Sequence, residues 1–158
     1  MEVTLRPATA EEFDGYRSAM IAGYAEEIAA SGSLPPDAAR KKAEQDTERA
    51  LPDGLGTKGQ LIYRVIAGEE PVGWLWLAVP AQPDNPRMAW VNNVEIGERF
   101  RGKGYGRQAM LLAERAAREH GMTSLGLNVH GTNATALALY DGLGYQVMTQ
   151  QMNKPVLR

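Results

Sequence analysis

The stretch RFRGKGYGRQ, residues 99–108, constrains this chain more than any other. It spaces three glycines two apart, Gly102, Gly104 and Gly106, among four cations, Arg99, Arg101, Lys103 and Arg107. The β-like run MAWVNNVEI (88–96) precedes it, and GRQAMLLAERAAREHG (106–121) follows with helical periodicity. Where a strand enters a helix through glycines, bare backbone N–H groups and the positive end of the helix dipole converge on one point. Glycine suits that point because no Cβ holds a ligand away from the amides. The loop therefore predicts a phosphate ester. Three phosphate-binding patterns compete for it. GERFRGKG (97–104) matches G-x-x-x-x-G-K, but Gly104 stands where a nucleotide triphosphatase needs Ser or Thr for magnesium. The dinucleotide pattern G-x-G-x-x-G fails because position 107 is Arg. What remains is Arg-x-x-Gly-x-Gly, filled by Arg101, Gly104 and Gly106.

The rest of the chain gives that junction a setting. VTLRPA (3–8) reads as a short strand, and Thr9 followed three residues later by Glu12 forms a capping box for a helix running to about Ala30. SGSLPP breaks it, and Pro36 or Asp37 opens a second helix, polar enough to be an exposed lid, which stops at PDG. QLIYRVIA (60–67) and PVGWLWLAV (71–79) form a hairpin across GEE. In the helix after the glycine loop, Tyr105, Ala109, Leu112 and Ala116 share a face, His120 caps the end and Gly121 stops it. SLGLNVH (124–130) is a further strand, TNATALALYDGLG a short helix and YQVMTQQM (145–152) a final strand. The fold class expected is α/β, a mixed sheet flanked by helices. At 158 residues and 44% hydrophobic, with no composition shift along the chain, it reads as one domain, residues 1–158.

Charge and cysteine content narrow the function. A net charge of −2 gives no general affinity for nucleic acid or for a membrane surface. The absence of cysteine removes disulfides, thiolate metal sites and a cysteine nucleophile together. No metal site is expected. No apolar run approaches a membrane span and no apolar signal segment opens the chain, which reads as a cytoplasmic protein.

Arg-x-x-Gly-x-Gly at a strand-to-helix turn resembles the pyrophosphate-binding motif of the GNAT acetyltransferase superfamily, and a second segment extends the resemblance. In LNVHGTNATALALYDGLGY (127–145), Asn133, Leu139, Tyr140, Gly144 and Tyr145 fill the family's later signature of a strand, an Asn and a Leu-Tyr helix. The two segments cover about residues 88–150, and EIGERFRGKGYGRQAM looks like a bacterial branch of small acetyltransferases. The resemblance implies a GNAT-like fold, a mostly antiparallel central sheet with a splayed parallel strand pair. It implies acetyl-coenzyme A as cosubstrate, with the amides of Gly102, Lys103, Gly104, Tyr105, Gly106 and Arg107 around the pyrophosphate and with Arg101 and Lys103 adding charge. It also implies that the strand ending at Ile96 hydrogen-bonds the pantetheine arm as an added strand would, with Asn133 near that arm.

Acetyl transfer from a thioester to an amine needs a neutral amine, a stabilised oxyanion and a proton for the thiolate. Tyr140 is the donor the resemblance points to, since a phenol of pKa about 10 is protonated at neutral pH; at helical spacing with Leu137 it is otherwise a core residue. A backbone N–H near Ile96 serves the oxyanion. An alkylammonium of pKa near 10 must lose a proton, and Glu95 is the first candidate base. The alternative for Glu95 is a salt bridge to Arg99 or Arg101. Some relatives place an acid earlier on this strand, where this chain has Trp90, Asn92 and Asn93. A water relay and His130 stand as other routes for the proton. Tyr24, Glu27, Trp74 and Trp76 are candidates to line the acceptor pocket, the two tryptophans equally readable as core. ARKKAEQDTER reads as a solvated helix face. The acceptor class is a small-molecule or peptide amine, and a homodimer through the last strand or QQMNKPVLR is compatible. The competing function is a coenzyme A or nucleotide binding module without catalysis.

Overall fold

β-Branched and aromatic runs set the strands, and capping residues set the helices between them. In chain order the elements are β1 (Val3–Pro7), α1 (Ala10–Ala30), α2 (Pro36–Ala50), β2 (Gln60–Ala67), β3 (Glu70–Ala78), β4 (Met88–Ile96), α3 (Tyr105–Glu119), β5 (Ser124–Leu127) and α4 (Ala134–Gly142). The computed structural model describes residues 1–157, in two units: Met1–Leu127, which holds everything through β5, and the segment from Asn128, which holds α4.

The first unit is a five-stranded mixed sheet in the order β1-β2-β3-β4-β5. The first three pairings are antiparallel and β4 with β5 is parallel. A parallel neighbour needs a crossover, and α3 supplies it. Strand alternation sorts the core into two layers. On β3, Leu75 and Leu77 are fully buried and belong to the face that α3 covers with Ala109, Met110, Ala113 and Ala117. Trp74 and Trp76 turn to the other face, where Trp76 joins Phe13 and Tyr16 of α1 with Leu51 and Ile62. Each large apolar side chain buried in this way contributes roughly 1.5–3 kcal/mol. Alanines on α3 let the helix lie close to the sheet. The tightest approach is at Gly73 of β3, where a Cβ would run into the Glu95 carbonyl oxygen of the neighbouring strand; at Gly126 of β5 a Cβ would meet the Met88 methyl and lie 2.6 Å from the Trp90 ring, so no other residue fits there without moving both side chains.

The local signals in the sequence are realised where they carry chemistry. Thr9 caps α1, and the reciprocal bond from Glu12 completes the capping box. Pro36 opens α2 at a position where its missing N–H costs nothing. His120 caps α3 and Gly121 follows at φ +79°. Three expectations are corrected. The strand read over 124–130 ends at Leu127, and YQVMTQQM carries no strand among the described residues. In that segment Val147, Met148 and Met152 are exposed, with no ladder to bury one face of the run. Nor is α2 an exposed lid. Its small residues Ala39, Ala43 and Thr47 form a buried stripe against α1, and Tyr24–Asp46 and Arg17–Glu48 tie the two helices at 2.9 and 3.2 Å.

Candidate active site

The edge of β4 sets the first half of the site. β5 pairs only with Met88–Val91, so the remaining residues of β4 have β3 alone as a strand partner. The phase of that ladder follows from one bond, Gly97 N–H donating to Val72 at 2.8 Å. Antiparallel pairs alternate, so Glu95 and Asn93 turn their backbone groups toward β3, whereas Val94 and Ile96 turn theirs to the opposite edge. Arg101 Nε donates to the Ile96 carbonyl at 3.0 Å, as that orientation requires. Beyond a single 3₁₀ turn, Glu98–Phe100, the chain enters the glycine loop. Gly102 and Gly104 have φ of +77° and +82°, a conformation that L side chains rarely adopt, and Gly104 is the N-cap of α3. The space where their Cβ atoms would stand is open. None of the six N–H groups from Gly102 to Arg107 donates a hydrogen bond among the described residues; the first to do so is Gln108, to the Gly104 carbonyl. Tyr105 is anchored in the core, which fixes the first turn while its amide remains outward. Arg101, Lys103 and Arg107 are exposed around these amides. Such an array binds a multiply charged anion.

The second half is a cleft of about 760 Å³ on the opposite face of the sheet, between α1, α2 and strands β3 and β4. The β3–β4 register slips one residue at Asn92, so Asn92, Asn93 and Glu95 all line it. Its aromatic wall is ordered by stacking. Tyr16 lies on Trp74 with centroids 4.2 Å apart and planes at 17°, and the Arg64 guanidinium sits 4.3 Å from the same indole. Trp76 donates its indole N–H to Gln60 at 2.7 Å. Asn93 Nδ2 donates to the Tyr16 hydroxyl. Burial pushes the Tyr16 phenol up to about 12; the bond from Asn93 opposes that and the Glu95 charge adds to it.

The charges around the cleft are mostly spoken for. Glu12 takes two bonds from Arg6 at 2.9 Å, which hold its carboxyl down at about 2 with help from Thr9. Arg64 Nε lies 3.3 Å from Glu12, an ion pair without hydrogen-bond alignment. Burial lowers the Arg64 pKa. Asp46 is held low by Lys42 at 2.8 Å and by Tyr24. Burial raises the Tyr24 phenol, and its bond to Asp46 raises it further. Glu27 and Glu95 line the cleft, and their carboxylates make no ion pair or hydrogen bond among the described residues. The salt bridge considered for Glu95 does not form: Arg99 pairs with Glu70 at 2.7 Å, and Arg101 turns to Ile96.

In the segment from Asn128, Asn133 is the N-cap of α4, its Oδ1 accepting the Ala136 N–H at 3.1 Å. Tyr140 packs edge-on against Tyr145 with centroids 5.7 Å apart, and burial raises its phenol pKa. His130 precedes α4, and its carbonyl accepts the Asn133 N–H at 3.0 Å.

The profile of the "Acetyltransferase (GNAT) family" matches residues 23–145. The chain belongs to the GNAT acetyltransferase family. It is 35% identical over 156 residues to the "Uncharacterized N-acetyltransferase YycN" of Bacillus subtilis strain 168, covering 98% of this chain and 99% of that one. It is 33% identical to the "Uncharacterized N-acetyltransferase YdgE" of the same strain, with 98% of each chain covered. The crystal structure of YycN superposes with a TM-score of 0.88 at 34% identity, over 99% of both chains. The fold alone is shared with AAC(6')-Iy in complex with a coenzyme A bisubstrate analogue, at a TM-score of 0.62 and 12% identity. The protein is therefore an N-acetyltransferase of a family that uses acetyl-coenzyme A, which sets aside the binding module without catalysis.

Within this GNAT chain the structure brings together the loop residues read from the sequence, Arg101 to Arg107, and sets Glu95 and Ile96 immediately before them on β4. Tyr24, Glu27, Trp74 and Trp76 do share one cleft, and Trp76 is also core. Sequence reasoning missed Tyr16 and Arg64. Tyr16 follows Phe13 by three positions on α1, a spacing that signals an apolar face and carries no sign of the hydroxyl's partner 77 residues away.

Proposed function

We propose that the protein transfers the acetyl group of acetyl-coenzyme A directly to a primary amine bound in the cleft. The observation that carries this reading is continuity. One strand, β4, presents to the cleft a Glu95 carboxylate that is unpaired among the described residues, and leads at its C-terminal end into six amides that are unbonded among them. The pyrophosphate would take the amides of Gly102 to Arg107 with Arg101 and Lys103 beside it, and Asn133 would border the pantetheine arm while capping α4. The amine nitrogen attacks the thioester carbon, a C–N bond forms and the C–S bond breaks. The N–H proton passes to Glu95, directly or through a water, and the thiolate takes a proton from Tyr140, which is restored from solvent. The backbone N–H of Val94 or Ile96, turned away from β3, faces the developing oxyanion. No metal is required by these steps.

The acceptor side favours a cation. Among the described residues, the only cation lining the cleft wall, Arg64, faces Glu12, while Glu27 and Glu95 have no counter-charge. An alkylammonium would supply it on binding, and it passes one proton through Glu95 to solvent before the neutral nitrogen attacks. The test is calorimetric titration with acetyl-coenzyme A beside ATP with magnesium, followed by thiol release with a panel of primary amines. Binding of the thioester and amine-dependent thiol release are expected. Binding of ATP alone, or thioester binding with no amine-dependent release across the panel, refutes the proposal.

A further inference from the structure

Tyr16 is 5% exposed, packed among Phe13, Leu51, Ile62 and Trp76 and stacked on Trp74, so its hydroxyl has a fixed position. Asn93 Nδ2 donates to that hydroxyl. The oxygen and nitrogen of a primary amide lie on opposite arms of one plane, so committing the nitrogen to Tyr16 turns Oδ1 away from the phenol. Asn93 Oδ1 accepts no hydrogen bond among the described residues, and Asn93 lines the cleft. Glu95 stands two residues along β4, on the same face, roughly 7 Å away along the strand. Both β4 residues sit opposite the tryptophans that wall the cleft, Asn93 against Trp76 and Glu95 against Trp74.

We propose that Asn93 Oδ1 and the Glu95 carboxylate together read the acceptor as a primary amine, and that Tyr16 is the positioning residue that holds Asn93 in the orientation this needs. The inference rests on the acyl-transfer reading above and deepens it. An attacking RNH2 directs its lone pair at the thioester carbon, which leaves two N–H bonds. One is accepted by Asn93 Oδ1 and stays on the amide product. The other is accepted by Glu95 and its proton is surrendered there as the C–N bond forms and the C–S bond breaks. A secondary amine has one N–H, which must go to Glu95 if the proton is to leave. Its extra alkyl group then meets Asn93 Oδ1, which loses its partner. Sites that hydrogen-bond a substrate N–H discriminate strongly against analogues lacking it. Because Asn93 is half-buried rather than sealed, a preference on the order of 100-fold is expected.

The experiment measures kcat/KM for n-butylamine, 2-phenylethylamine and putrescine against their N-methyl counterparts, in the wild type, Tyr16→Phe and Asn93→Leu. Phe keeps the stack on Trp74 and removes only the hydroxyl that holds the amide. Wild type should prefer the primary amines about 100-fold. Tyr16→Phe should lose roughly tenfold of that preference with KM for acetyl-coenzyme A unchanged, a split that a merely structural role would not produce. Asn93→Leu, on the exposed side of the pair, should abolish the preference and serves alone if Tyr16→Phe fails to fold. Equal use of both amine classes by wild type, or full preference in either folded variant, overturns the inference while leaving acetyl transfer standing. Transfer to no amine of the panel overturns the parent reading, and this one with it.

Discussion

Replacing Glu12 with Gln removes one charge from the wall of the cleft and leaves the capping box chemically able to form, because Gln also reaches back to the Thr9 N–H. Two interactions are lost: the paired bonds from Arg6 and the ion pair that faces the half-buried Arg64. The carboxyl is held at about 2 against an ordinary 4.5. At about 1.36 kcal/mol per pH unit this difference would amount to about 3.4 kcal/mol for a fully shielded group. Side-chain exposures of 44% for Arg6 and 26% for Glu12 let solvent screen the pair, which reduces the expected loss to about 1–2 kcal/mol. For a chain of this size that is a fall in melting temperature of about 3–6 °C. The sign with pH follows from the depressed value. The stabilisation is fully present well above 4.5, declines as pH falls and is lost through about 2. More than half of it should be gone by about pH 3. Thermal melts of wild type and Glu12→Gln from pH 7 to pH 3 test this. A gap that keeps its pH 7 size at pH 3, or no gap at pH 7, refutes the reasoning. Glu12→Ala should add about 1 kcal/mol of pH-independent loss from the broken cap.

Gly104→Ala forces a Cβ into φ +82° at the N-cap of α3, costing about 1–2 kcal/mol, and tilts the amides; calorimetry should show at least tenfold weaker acetyl-coenzyme A binding. Tyr140→Phe should lower kcat on the order of 100-fold with the acetyl-coenzyme A dissociation constant unchanged, and a kcat within threefold of wild type would remove Tyr140 as proton donor. Glu95→Gln should lower kcat/KM most below the pKa of the acceptor ammonium, about 10, and recover toward wild type as pH approaches it; a loss constant across pH would assign Glu95 to binding alone.

Local rules made some parts of this protein readable. The Thr9–Glu12 capping box, the Pro36 start of α2 and the span 88–96 of β4 depend on neighbours within a few residues, and the chain states them directly. The glycine loop is legible for the same reason: positive φ at Gly102 and Gly104 is a property of the backbone at those positions. YQVMTQQM shows the limit. β-Prone residues state that a segment is able to pair, and a strand exists only where its backbone groups find a ladder.

The sequence by itself determined the α/β order, the strand-to-helix glycine loop and, through two motifs, the family. Tertiary structure decided the rest of the site. That Glu95 has no salt bridge among the described residues depended on Arg99 finding Glu70 and Arg101 turning back to Ile96. The one-residue slip at Asn92 decided that Asn92, Asn93 and Glu95 all reach the cleft. The bond from Asn93 to Tyr16 joins residues 77 positions apart, and no local pattern encodes it. Such contacts arise when the packing of α1 against the sheet brings a buried polar group to a partner, because an unpaired one would be costly.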